Sequence, residues 1–199
     1  MNVPREKRQI QKEDIMPLNV YMKNRKELRR NIVNFKKNRR IALGPYATFY
    51  FESYETMLAQ VQEMLYIEKG GDDQLKDELA AYNPLIPDGK ELTATLMFEI
   101  DNPVSRSAFL SKVGGIEEKV FINIDGEKVK AIPEKDVDRT SSAGKASSVQ
   151  FIHFKFTDNQ IEKFKSHNIV VELGIAHDDY SHTTKLTTDN LSSLSDDFI

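Results

Sequence analysis

The chain has 199 residues, 39% hydrophobic and 30% charged, enough for one domain with a sizeable core beneath a strongly charged surface. It contains no cysteine, which excludes disulfides, thiol nucleophiles, thiolate-held iron–sulfur clusters and Cys-type zinc sites, so any metal would need His, Asp and Glu. Net charge is −3, but residues 1–40 hold 13 Lys and Arg against 4 Asp and Glu, so that segment carries +9 and the remainder −12.

No run approaches the ~18 consecutive apolar residues of a membrane span, and the start, MNVPREKRQIQKED, lacks the apolar stretch of a secretory signal. The expectation is a cytoplasmic protein with no membrane partner. Residues 1–13 are polar and read as a flexible tail, with 14–199 forming a single domain. Asp14 to Pro17 opens a helix. From Leu18 onward, Tyr21, Met22, Leu28, Ile32 and Phe35 recur at three- and four-residue steps, which predicts one buried stripe on a long basic helix. Its other faces carry Lys23, Arg25, Lys26, Arg29, Arg30, Lys36, Lys37, Arg39 and Arg40. Such charges ordinarily form a solvated face. The sharper reading has Arg29, Arg39 and Arg40 reaching carboxylates or a phosphate, for which the planar guanidinium fork is suited.

Ile41–Leu43 and Ala47–Phe51 read as two short strands about a Gly44-Pro45 turn, with Phe49 and Phe51 on one face and Thr48 and Tyr50 on the other. Ser53 caps a helix running to about Lys69 and ended by Gly70-Gly71, with Tyr54, Leu58, Val61 and Leu65 as its apolar stripe. Thr56, Gln60 and Glu63 share another stripe of that helix, just after Glu52. With Arg29, Arg39, Arg40 and Thr48, these four residues are the candidate ligand- or partner-binding set.

The run RRIALGPYATFYFESYETMLAQVQEML, with YNPLIPDGKELTATLMFEI at residues 82–100 and IAHDDY at residues 175–180, resembles a bacterial family known as domain of unknown function 3501. The middle motif is specific and the C-terminal one looser, and together they span nearly the whole chain. The resemblance implies a cytoplasmic bacterial protein whose genes lie near those for rubrerythrin-like and iron–sulfur oxidoreductase proteins. It brings no established catalytic residues.

Further on, residues 72–82 read as a short helix and Thr93–Ile100 as a strand, and Pro103 starts a helix over Ser105–Val113 that ends at Gly114-Gly115. Glu118–Ile124 and Lys128–Ile132 flank Asp125-Gly126, a strong hairpin signal. Residues 136–148 read as a mobile loop, Val149–Phe156 as a strand, and Thr157 or Asp158 as the cap of a helix ending near His167. Ile169–Ile175 is a further strand, the cluster from His177 to His182 an exposed polar turn, and Asp189–Phe198 a terminal helix. The fold class is α+β: a mixed or mainly antiparallel sheet, a long basic N-terminal helix and several shorter packing helices. A doubly wound α/β fold fits less well, because helices and strands do not alternate regularly.

Chemical motifs are sparse. His153 and His177 are the candidate metal ligands, with nearby carboxylates, yet there is no His-Glu-x-x-His, no Glu-x-x-His repeat and no close histidine pair. Glu52, Glu55, Glu63, Glu68 and Glu99 could supply acid–base pairs. A nucleophile elbow, a phosphate-binding glycine loop and a dinucleotide fingerprint are all missing. Three functions fit these residues. The favoured one is a noncatalytic accessory protein, without cofactor, that binds a redox or metalloprotein partner, a second copy of the chain being an alternative partner. Another is a metal-dependent enzyme with a His/carboxylate site. The last is nucleic-acid binding through residues 23–40, which a pI of about 5.9 disfavours.

Overall fold

Apolar side chains alternating along seven of eight short strands set the architecture. The computed structural model describes residues 8–134, 140–141, 144–166 and 168–199. In chain order the elements are α1 (Leu18–Lys36), β1 (Arg40–Leu43), β2 (Ala47–Phe51), α2 (Tyr54–Glu68), α3 (Gly71–Tyr82), β3 (Glu91–Phe98), α4 (Pro103–Leu110), β4 (Val120–Ile124), β5 (Glu127–Pro133), β6 (Val149–Lys155), α5 (Asp158–Ser166), β7 (Val171–His177), β8 (Tyr180–Lys185) and α6 (Thr188–Ser195). The fold is α+β. Every strand pairing is antiparallel, in the order β1-β2-β3-β6-β5-β4-β7-β8.

Because side chains alternate across a strand, Phe49, Phe51, Leu96, Ile122, Phe154 and Leu173 all fall on one face and are buried together. The sheet curls around them into a nearly closed barrel, bringing β8 beside β1. Tyr180 fastens this seam. Its hydroxyl donates to the Leu43 carbonyl (2.5 Å) and accepts from the amides of Tyr46 (3.1 Å) and Ala47 (3.0 Å). Leu110, Val113 and Ile116 join the core from α4 and the turn after it. From α5 and the C-terminal segment, Phe164 and Phe198 pack edge-to-face with Phe156 at centroid distances of 5.0–5.9 Å. A smaller core of Ile10, Tyr54, Met57, Val61, Leu75, Leu85 and Ile86 ties α2 and α3 to the opposite face of the sheet, where Phe151 touches it.

Arg39 locks the corner between α1 and β1. Its side chain is 1% exposed, donates to the carbonyls of Phe51 (3.1 Å), Ser193 (2.9 Å) and Glu52 (2.8 Å), and pairs with the Asp197 carboxylate. Burial outweighs the guanidinium and raises the Asp197 carboxyl to about 6.

Several expectations need correction. The tail expected over residues 1–13 is anchored from Arg8 onward. Arg8 donates to the carbonyls of Pro87 and Asp197, and buried Ile10 exchanges two hydrogen bonds with the Asn83 side chain. Residues 1–7 lie outside the described residues. In α1 only Tyr21 is buried, so the expected apolar stripe is not a core stripe. Lys69, not a glycine, takes the left-handed cap of α2 at φ 56°. The supposed exposed turn from His177 to His182 is the β7–β8 hairpin, so His182 lies on a strand. β8 reads YSHTTK, with one apolar residue, which gives no alternation to detect. Of the loop expected at 136–148, residues 136–139, 142 and 143 lie outside the described residues, as does His167, and Ala146 beyond them is buried.

Candidate functional site

The sequence points to residues along one corner, and the structure gives most of them a local partner of their own and brings them to no shared pocket, while Arg29 stays exposed. Glu52 is buried. Its carboxylate accepts from the hydroxyls of Thr56 (2.6 Å) and Thr95 (2.8 Å), fixing the start of α2 against β3. Thr48 donates to Glu99 at 2.5 Å, and Tyr50 (2.9 Å) and Arg40 (3.2 Å) reach the same carboxylate. The Thr48 hydrogen bond, followed by those of its neighbours, holds Glu99 below the usual carboxylate range. Among the described residues the Gln60 side chain makes only a long 3.5 Å contact to the Tyr82 hydroxyl. Glu63 binds α1 to α2 by accepting from the Tyr21 hydroxyl (2.6 Å) and from Arg25. The Arg25 hydrogen bond depresses the Glu63 carboxyl, while burial and Glu63 itself push Tyr21 up to about 12. Arg39 is the buried corner lock, and Arg29 is exposed.

The two candidate metal ligands do not meet. Strands β5 and β4 separate β6, which carries His153, from β7, which carries His177. His153 sits between two carboxylates, Nδ1 3.3 Å from Glu91 and Nε2 3.1 Å from Glu134, so its ring nitrogens face apart. His177 accepts the Asp179 amide through Nδ1 in the hairpin turn. Among the described residues no group of three His, Asp or Glu is placed to hold a metal.

His153 instead has a pH-dependent structural role. The Glu91 hydrogen bond, opposed by burial and aided by Glu134, raises its pKa above the ordinary 6.5. Protonation is therefore favoured by folding. The resulting stabilisation is complete below the unfolded value and is lost as pH rises through the raised folded value. Thermal melts of wild type and His153→Gln will accordingly differ most near pH 6, and the gap will narrow toward pH 9. An unchanged gap would mean that folding leaves the His153 pKa where it is in the unfolded chain.

What remains open on this side of the molecule is the outer surface of α1. Its apolar residues, Val20 included, span roughly 220° at 100° per residue, too wide an arc for the single helix α2 to cover. Tyr21 turns toward α2, where it meets Tyr66 at 5.9 Å, and Leu28 and Ile32 on the same line are half-buried. Leu18, Met22 and Val33 fall on the neighbouring line and stay 39%, 57% and 66% exposed. Lys23, Lys26, Arg29 and Arg30 are exposed around them and form no ion pair among the described residues. The expected buried stripe included Leu18, Met22 and Phe35, and all three are exposed. The missed signal was the presence of two adjacent apolar lines where one contact can bury only one.

Comparison with known proteins now bears on this arrangement. The model of the family "Protein of unknown function (DUF3501)" matches residues 9–198. The chain belongs to the DUF3501 family. The match runs through the barrel, the Arg39 corner and α1 alike. A solved structure, a novel protein of unknown function from Burkholderia pseudomallei, is similar with a TM-score of 0.89 and 34% identity over 96% of this chain and 100% of that chain. The curated proteins give no match. No helix among the described residues of this DUF3501 member is long and apolar enough to cross a membrane.

Proposed function

We propose that this protein is a noncatalytic cytoplasmic accessory protein that docks an acidic protein partner on the outer face of the basic helix α1. The observation that carries the reading is the exposure of Met22 and Val33, at 57% and 66%, amid lysines and arginines that form no ion pair among the described residues, on a helix fixed at both ends. A rigid basic–apolar surface suits a partner with an apolar centre and an acidic rim. The metalloprotein or iron–sulfur redox partner implied by the family resemblance is the first class to test. In this reading the chain itself needs no bound metal or cofactor, and the carboxylates of the expected acid–base set are each engaged by a hydroxyl, amide or arginine donor.

Nucleic acid would use the same cations but gain nothing from Met22 and Val33, which favours protein. Calorimetric titration of purified rubrerythrin-like and iron–sulfur products of neighbouring genes tests the reading. Binding should weaken several-fold from low to physiological ionic strength, and duplex DNA should compete poorly. Tight DNA binding, or no binding by any of these proteins, would overturn it.

A further inference from the structure

A cleft of about 530 Å³ opens at the barrel seam, between the β1–β2 turn, the β7–β8 hairpin and α4. Its walls are aromatic. Tyr46 meets Phe109 edge-on at 5.1 Å, and His182 lies against Tyr180 at 4.5 Å. The His182 ring is held in place by backbone: a Cβ on Gly44 would come within 2.5 Å of its Cδ2. Ser105, Lys112 and Asp179 complete the rim. The polar groups here differ from those along the α2 corner. The Tyr46 and Ser105 hydroxyls, the Lys112 ammonium, the Asp179 carboxylate and the His182 imidazole make no hydrogen bond or ion pair among the described residues. Tyr180, by contrast, has its hydroxyl fully engaged in the seam.

We propose that this cleft binds a small planar aromatic molecule bearing a negative charge. Flat rings gain from stacking on Tyr46 and His182, which are already positioned, so little ordering is needed on binding. Lys112 gives the anionic substituent a charge-assisted donor, and Asp179 can accept from a ring N–H. The volume fits one or two fused rings with a short acidic group. The site shares no residue with the α1 surface and stands independently of the docking reading.

Titration of the isotopically labelled full chain with 2-naphthoate, followed by amide chemical shifts, tests the proposal. Saturable shifts should cluster at Tyr46, Phe109 and residues 179–182. Affinity should fall roughly tenfold for the uncharged isostere 2-naphthamide and by a similar factor in Lys112→Gln, the worth of one charge-assisted hydrogen bond. Lys112 is exposed, so that variant will fold. Shifts that never saturate, that map to α1 instead, or that are equal for naphthoate and naphthamide would overturn the proposal, as would unchanged binding by Lys112→Gln.

Discussion

Replacing Arg39 with alanine will lower the free energy of unfolding by about 3–5 kcal/mol, the usual consequence of stranding one member of a buried ion pair. Urea denaturation with an unchanged slope is the measurement. The loss has two parts. Three carbonyls, those of Phe51, Glu52 and Ser193, lose their donor, and the buried Asp197 carboxylate loses its counter-charge. The parts separate by pH. Because burial raises Asp197 to about 6, its contribution is full below the unfolded value near 4 and is lost as pH rises through about 6. At pH 4 the carboxyl is protonated in wild type and variant alike, so only the hydrogen-bond part of the deficit remains. At pH 8 the full deficit appears. Arg40→Ala, one residue on, removes an ion pair whose side chains are 56% and 41% exposed, and should cost less than about 1 kcal/mol.

Gly44→Ala should destabilise by about 2–4 kcal/mol, from left-handed strain plus disturbed seam hydrogen bonds. Gly44 sits at φ +65°, and its new Cβ would lie 2.5 Å from His182 Cδ2 and 2.7 Å from the Tyr180 hydroxyl. The hydroxyl cannot retreat without releasing the Leu43 carbonyl and the amides of Tyr46 and Ala47. Gly115→Ala is the control, because φ there is +76° with nothing within 4 Å, so it reports the conformational cost alone. Equal melting shifts for the two variants would show that the seam tolerates the methyl and that Tyr180 is not what holds β8 to β1.

Much of the framework was readable from residue patterns. The Asp125-Gly126 hairpin is present with both residues at positive φ, and Ser53 caps α2 as its spacing required. Both signals are local, and neither depends on what packs against them. Strand β8 was missed because its place is set by Tyr180 reaching across the seam to Leu43, a contact separated by 137 residues that no window on YSHTTK can register. The candidate residues failed to converge for a related reason. Helical spacing put Thr56, Gln60 and Glu63 on one side of α2, but it could not say that Glu52 would fold back onto Thr56 and Thr95 while Glu63 was taken by α1. Similarly, an arginine at position 39 and another at 40 look alike in sequence. The strand that follows places one inside and the other in solvent.

The docking reading divides polar residues that hold the fold from apolar residues that meet a partner. One paired comparison examines that division: partner affinity by calorimetry and stability by urea denaturation, for Glu52→Ala and for Met22→Asp combined with Val33→Asp. Glu52→Ala should lose about 1–3 kcal/mol of stability, since the Thr95 hydroxyl loses its acceptor while that of Thr56 keeps the Ser53 carbonyl, and should bind the partner as wild type does. The α1 double variant should keep wild-type stability and lose binding at least tenfold, as expected for residues at the centre of an interface. Undiminished binding by the α1 variant, with binding lost in Glu52→Ala, would contradict the account.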